Sequence, residues 1–121
     1  SMISEGCILS GVTIKNSIIG LRARIDKGVV IENSIVMGSD IFEAIEDIRD
    51  NLERHVPHIG IDENTVIRNA IIDKNVRIGK DVHLINRDGI EHYDSPDRSY
   101  YIRDKIIIIP KNAIIPNGTV I

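Results

Sequence analysis

Aromatic residues are almost absent from this sequence: it has one phenylalanine, three tyrosines and no tryptophan among 121 residues. Rings supply much of the buried area in ordinary small domains, so the core here has to be built from something else. Cysteine is equally scarce. Cys7 stands alone, which excludes an internal disulfide and fits a reducing compartment. No apolar run approaches the roughly 20 residues that span a bilayer, and no signal-peptide pattern precedes the first aliphatic residue, so no membrane partner is expected. Surplus positive charge is missing too. A formal net charge of -3, with no basic arm, argues against a nucleic-acid partner. A chain of this length buries one core, and a single domain over residues 3–121 is expected, with Ser1-Met2 read as a cloning remnant.

Catalytic constellations are also lacking. No glycine-rich loop opens a helix, and no Ser/His/Asp order is apparent. His55 and His58 flank Val56-Pro57 and amount to half of a metal site at most, with no Cys or His pair to complete it, so no metal is expected. His83 follows an inward Val82 and should face out, and His92 lies in a polar stretch. Cys7 falls at an inward corner, where a small structural thiol is the simpler reading.

What the sequence does contain is a period. The aliphatics Ile3, Leu9, Ile14, Ile19, Ile25, Ile31 and Val36 recur at steps of five or six residues, as do Ile61, Ile67, Ile72, Ile78 and Leu84, then Ile109, Ile115 and Ile121. Neither an amphipathic helix nor an alternating strand has that spacing, whereas the hexapeptide repeat of a parallel β-helix does. Two further signals agree. Three residues after the aliphatic of each six-residue step stand Gly6, Gly28, Asn64, Asn75, Asp81, Asn112 and Gly118, types that tolerate a left-handed backbone at a sharp corner; Arg22 is the exception. Four residues after stand Cys7, Ala23, Val29, Thr65, Val76, Val82, Ala113 and Thr119, small or β-branched side chains suited to a tight interior. Phe42, Tyr93, Tyr100 and Tyr101 fall outside the repeats, as a narrow aliphatic prism requires.

An all-β fold follows, of about five coils spaced roughly 4.8 Å apart, with two excursions. Asp40 with Glu43, followed by Ile41, Ile45, Ile48 and Leu52 on one face, predicts a short helical insertion over about 40–54. Residues 86–106, with Asp88-Gly89 and Ser95-Pro96, read as a long polar loop. Face bookkeeping puts Ile19, Val36, Ile72 and Ile109 inward on one face. Ile18, Ile35, Ile71 and Ile108 then point outward as an aliphatic stripe, which reads as an interface with another domain or subunit. The plainer reading is that these isoleucines only satisfy β-propensity.

The runs ISEGC at 3–7, NSIIGLRARI at 16–25, IENSIVMGSD at 31–40, IRNAIIDKNVRIG at 67–79 and YIRDKIIIIPKNAIIPNGTVI at 101–121 resemble the C-terminal β-helix domain of ADP-glucose pyrophosphorylase (glucose-1-phosphate adenylyltransferase), particularly its plant and cyanobacterial forms. The resemblance implies a left-handed coil and an upstream nucleotidyltransferase domain that uses ATP and Mg2+ to convert glucose 1-phosphate to ADP-glucose in glycogen or starch synthesis. This chain itself would then be non-catalytic and without a cofactor. It also implies tetramer assembly with sibling subunits, allosteric control by phosphate or a phosphorylated metabolite, and a cytoplasmic setting, or a plastid in a plant. By motif, the effector-binding positions are Lys74, in AIIDKN, and Arg103, in YIR. Lysine supplies a compact charge and arginine a planar fork, both suited to phosphate oxygens; read from the residues alone, each is an ordinary solvated charge. Asp104-Lys105 stands where the family pattern has a Ser-Gly pair after the basic residue, a departure by which Asp104 either neutralises Arg103 or reshapes the loop. Two other readings stay open: a hexapeptide-repeat acyltransferase with His83 as base, and a purely structural assembly module.

Overall fold

The structure of the protein, a computed structural model, describes residues 2–3, 8–9, 11–40 and 58–121. The helix expected over about 40–54 lies, past Asp40, outside these residues, as do Gly6 and Cys7.

Short strands of two to four residues alternate with corners along the whole described chain. The first sheet collects β1 (Met2–Ile3), β4 (Ile18–Ile19), β7 (Ile35–Val36), β10 (Ala70–Ile72) and β15 (Ile106–Ile109), all parallel. The second stacks β2 (Ile8–Leu9), β5 (Arg24–Ile25), β8 (Gly60–Ile61), β11 (Arg77–Ile78) and β16 (Ile114–Ile115). The third stacks β3 (Thr13–Lys15), β6 (Val30–Glu32), β9 (Val66–Arg68) and β12 (His83–Leu84), and Val120 bridges to His83. One circuit through the three sheets is one coil, and the parallel strands of the first sheet number five such coils.

The period seen in the sequence is the period of the core. Ile19, Ile25, Ile31, Val36, Ile61, Ile67, Ile72, Ile78, Leu84, Ile109 and Ile115 are all buried, each stacked on its counterpart one coil away, as in Ile19↔Val36↔Ile72↔Ile109. Ile3, Leu9, Ile14 and Ile121 are less covered, because end coils have a neighbour on one side only. Ala23, Val29, Thr65, Val76 and Val82 are buried beside the rungs. Thr65 turns its hydroxyl to advantage: Oγ1 donates to the Gly79 carbonyl at 2.8 Å and accepts from the Val82 amide at 3.3 Å.

The corners turn through the left-handed region as expected, with φ of 76° at Gly28, 58° at Asn64, 59° at Asn75, 55° at Asp81 and 64° at Asn112. Arg22 adopts the same conformation, φ 53°, and its guanidinium reaches the Ser39 carbonyl at 3.4 Å. The five-residue steps carry a second set of left-handed corners at Asn16, Asn33 and Asn69. Asn16 Nδ2 donates to Asn33 Oδ1 at 2.8 Å. Beside them, Ser17 Oγ accepts the Ser34 amide and Ser34 Oγ accepts the Ala70 amide, each at 3.1 Å.

The excursion over 86–106 is more ordered than a loop. Strands β13 (His92–Asp94) and β14 (Tyr101–Arg103) continue the first sheet beyond β15, both pairs antiparallel. Asn86 closes the base through Ile90 and Lys105, and Asp97 organises the tip by accepting from Ser95 and Ser99. Ile102 is buried opposite Ile107 and lays one more aliphatic rung over the core. Composition marked this stretch as polar, and the pairing escaped it because three-residue strands carry too little alternation to recognise.

Candidate functional site

Lys74 stands on the corner between β10 and β11, held there by the left-handed turn at Asn75. Its ammonium is not isolated: Nζ lies 3.3 Å from Asp40 Oδ1. Asp40 also accepts from Asn75 Nδ2 at 3.3 Å, and its own amide donates to Asn75 Oδ1 at 3.0 Å. Lys111, whose corner is stacked on that of Lys74 through the Asn112 amide and the Lys74 carbonyl, approaches Asp40 Oδ2 at 3.9 Å. The Lys74 hydrogen bond, then that of Asn75 and the lysine charge, hold the Asp40 carboxyl below its ordinary range. Two stacked cations share one carboxylate here, so any oxyanion drawn to the lysines would compete with Asp40.

Arg103 is also committed to a carboxylate, though not to the one expected. Asp94 Oδ1, on the adjacent β13, lies 2.6 Å from its guanidinium, while the ring of Tyr101 stands 5.1 Å below it. Asp104 takes the left-handed corner with Lys105, φ 50° and 67°. Arg103 pairs with Ile106 at one end of β15, whereas Lys74 follows Ile72, which pairs with Ile109 at the other end. Three residues of strand alone separate the two positions by roughly 10 Å. Lys74 and Arg103 therefore lie toward opposite strand ends of the first sheet.

Ile18, Ile35, Ile71 and Ile108 form one unbroken register row across β4, β7, β10 and β15, continued by Met2 at one end and Tyr101 at the other. Ile18 and Ile35 are 47% and 41% exposed, and Ile71 and Ile108 are half-buried. A groove lined by Asn33, Ile35, Asn69, Ile71, Lys105 and Ile106 runs beside the row.

His55, the other member of the expected half-site, lies outside the described residues, and His58 has carboxylate partners that the expectation did not include. Its ring nitrogen Nε2 is 2.8 Å from Asp26 and 3.9 Å from Asp62, and among the described residues this trio is the one group with metal-ligating side chains in mutual reach. The sequence held a signal for it: Asp26 and Asp62 each follow an inward isoleucine of the second sheet, Ile25 and Ile61, which are stacked partners. A histidine nitrogen is a poor ligand for magnesium, which takes oxygen donors, so the trio does not fit a magnesium–nucleotide site and no catalytic step is derived from it.

The fold and these surfaces define a class: a parallel β-helix module with an aliphatic row on one face and ion-paired cations at its corners. The GLGC left-handed parallel beta-helix domain matches residues 1–120, and the chain belongs to that family. Over its whole length it is 47% identical to a protein of Arabidopsis thaliana named inactive glucose-1-phosphate adenylyltransferase small subunit 2, chloroplastic, of which the matched part makes up 26%. The chain thus spans about a quarter of that relative.

Proposed function

We propose that this chain is the regulatory and oligomerisation domain of a glucose-1-phosphate adenylyltransferase, the enzyme that joins ATP and glucose 1-phosphate, and that by itself it is non-catalytic. What supports this most is the similarity, over the whole of this chain, to about a quarter of the small-subunit relative; the outward isoleucine row adds a surface for the rest of the enzyme to cover. The ATP and Mg2+ of the reaction are assigned to an upstream nucleotidyltransferase domain. The row Ile18–Ile35–Ile71–Ile108 is assigned to contact with that domain or with sibling subunits in a tetramer. Lys74 and Arg103 are assigned to phosphate or a phosphorylated metabolite, each as part of a site that other basic groups complete. The cytoplasm is the proposed compartment, or the plastid, as in the chloroplastic relative.

Reconstitution is the direct test. Co-expressed with a nucleotidyltransferase domain of this enzyme class, the chain should co-purify as a defined oligomer, and Ile35→Asp should release it; failure of the unmodified chain to associate would overturn the assembly role. Calorimetry on the 121-residue chain should find weak or undetectable phosphate binding. A tight complex lost in Lys74→Ala would contradict the incomplete site.

A second reading, a structural assembly module without effector, draws support from Asp40 and Asp94, which already neutralise both candidate cations. It predicts that phosphate and sugar phosphates leave the melting temperature of the reconstituted assembly unchanged.

A further inference from the structure

Asp26, His58 and Asp62 come from two consecutive coils. Asp26 follows β5, while His58 precedes β8 and Asp62 follows it. Ladder hydrogen bonds fix both carboxylate-bearing residues: the Asp26 amide donates to Ile61 at 2.9 Å and the Asp62 amide to Ile78 at 3.0 Å. Gly60 lets His58 enter so close. At φ 121° its backbone lies against the Arg24 carbonyl, where any Cβ would collide. The His58 side chain is 10% exposed.

The hydrogen bonding of the ring is what calls for a ligand. Nδ1 lies 2.8 Å from the Ile59 carbonyl, an oxygen that only accepts. The proton of a neutral ring is therefore on Nδ1, and the Nε2 lone pair is aimed at two carboxylates, which also only accept. Acceptor facing acceptor at 2.8 Å is repulsive, so a cation belongs between them: either a second proton on the ring or a metal ion. A metal-bound histidine characteristically donates its other N–H to a backbone carbonyl, as His58 does to Ile59. In a tetrahedral zinc site, ligand atoms about 2.0–2.1 Å from the metal stand roughly 3.3 Å apart. The two separations from Nε2, 2.8 and 3.9 Å, straddle that spacing and would match it with shifts of about half an ångström, and all three ligand atoms lie within 4.8 Å of one another.

We propose that Asp26, His58 and Asp62 bind a divalent transition-metal ion, zinc by ligand chemistry, with a fourth position left to solvent or a further donor. One imidazole with two carboxylates suits zinc better than the alkaline-earth ions, which favour all-oxygen sets. Two neighbours compete or assist. Arg24 Nε stands 3.7 Å from Asp26 Oδ1 and must yield that oxygen or share the residue. Asp62 Oδ1 accepts the Glu63 amide at 2.8 Å, which orients the carboxylate. The ion would tie the coil that carries Asp26 to the strand that resumes the stack at Gly60.

The test is a titration of the 121-residue chain with Zn2+ by calorimetry and with Co2+ by visible absorption. One saturable equivalent is expected, with a tetrahedral cobalt spectrum and a melting temperature raised by several degrees, since an ion that binds only the native state stabilises it. Asp62→Asn and His58→Gln should each weaken binding by at least about tenfold, while His92→Gln should not. Absence of saturable binding in the unmodified chain, or binding untouched by both substitutions, would overturn the site. Should the variants fail to fold, the ring nitrogens of His58 in the unmodified protein decide: an imidazolium whose 15N resonances do not respond to Zn2+ means the cation is only a proton.

Discussion

Lys74 shows how far a single residue can be read from its neighbours in sequence. Its place on an exposed corner followed from Asn75 and the flanking rungs. Its partner did not, because Asp40 is 34 residues away in sequence and comes near only through coil stacking. Asp40 in turn looked like the cap of a helix, and its carboxylate faces Lys74 and Asn75. Because Lys74 and Asn75 favour the ionised form, Asp40 should titrate below the ordinary carboxylate value of about 3.9. A carboxyl depressed on folding adds stability above its unfolded value that is lost as pH falls through the folded one, here on the acid side of about pH 4. Carboxyl NMR should show the low midpoint, and Lys74→Ala should raise it. Asp40→Asn should strengthen phosphate binding at Lys74 and Lys111 by removing the internal competitor, measurable by calorimetry; unchanged affinity would mean these lysines are not an anion site. Thr65 makes a different point. Its inward place was legible and its two hydrogen bonds were not. Thr65→Val keeps the shape and strands the Gly79 carbonyl and the Val82 amide, so denaturant unfolding should register a loss of about 1–3 kcal/mol.

At the scale of elements, the coil was readable because each position repeats one constraint: aliphatic rung, left-handed corner, small second residue. Arg22 shows that stacking can impose the corner where the residue type does not offer it. The cost of a non-glycine residue there is about 1–2 kcal/mol, and the neighbouring coils outweigh it. Asn16, Asn33 and Asn69 were equally visible in the runs NSI, NSI and NAI, but they belong to five-residue steps, whose corners fall elsewhere in the period. Gly60 is the element-scale position most sensitive to change. Gly60→Ala combines a positive φ with a backbone collision at Arg24, so a loss of at least about 1–2 kcal/mol is expected in thermal or denaturant melts, with the His58 trio displaced. Melting unchanged from the parent would show that β8 can shift without cost. The antiparallel pair β13–β14 could not be foreseen: its register depends on Ile102 meeting Ile107, a contact that neither local pattern announces.

For the whole molecule, an exposed aliphatic row is a surface that seeks cover. In the 121-residue chain alone, sedimentation should show concentration-dependent self-association that Ile35→Asp suppresses while the melting temperature changes little, because the side chain lies outside the prism. A strictly monomeric chain at high concentration would favour the plainer β-propensity account of the row. The fold class, coil count and outward row were all present in the spacing of aliphatics, and so was the stacking of Asp26 on Asp62 after Ile25 and Ile61; the ion pairs and the approach of His58 were not, since they join residues across coils through side chains that no repeat constrains. The β13–β14 pair has one more effect. A stack of parallel coils is a template on which an identical coil could be laid, and repeated addition would grow a fibre. By ending the first sheet in the short, exposed strand His92–Asp94, which carries no aliphatic rung, the pair leaves that edge polar and without a matching core position for a further coil to pack on.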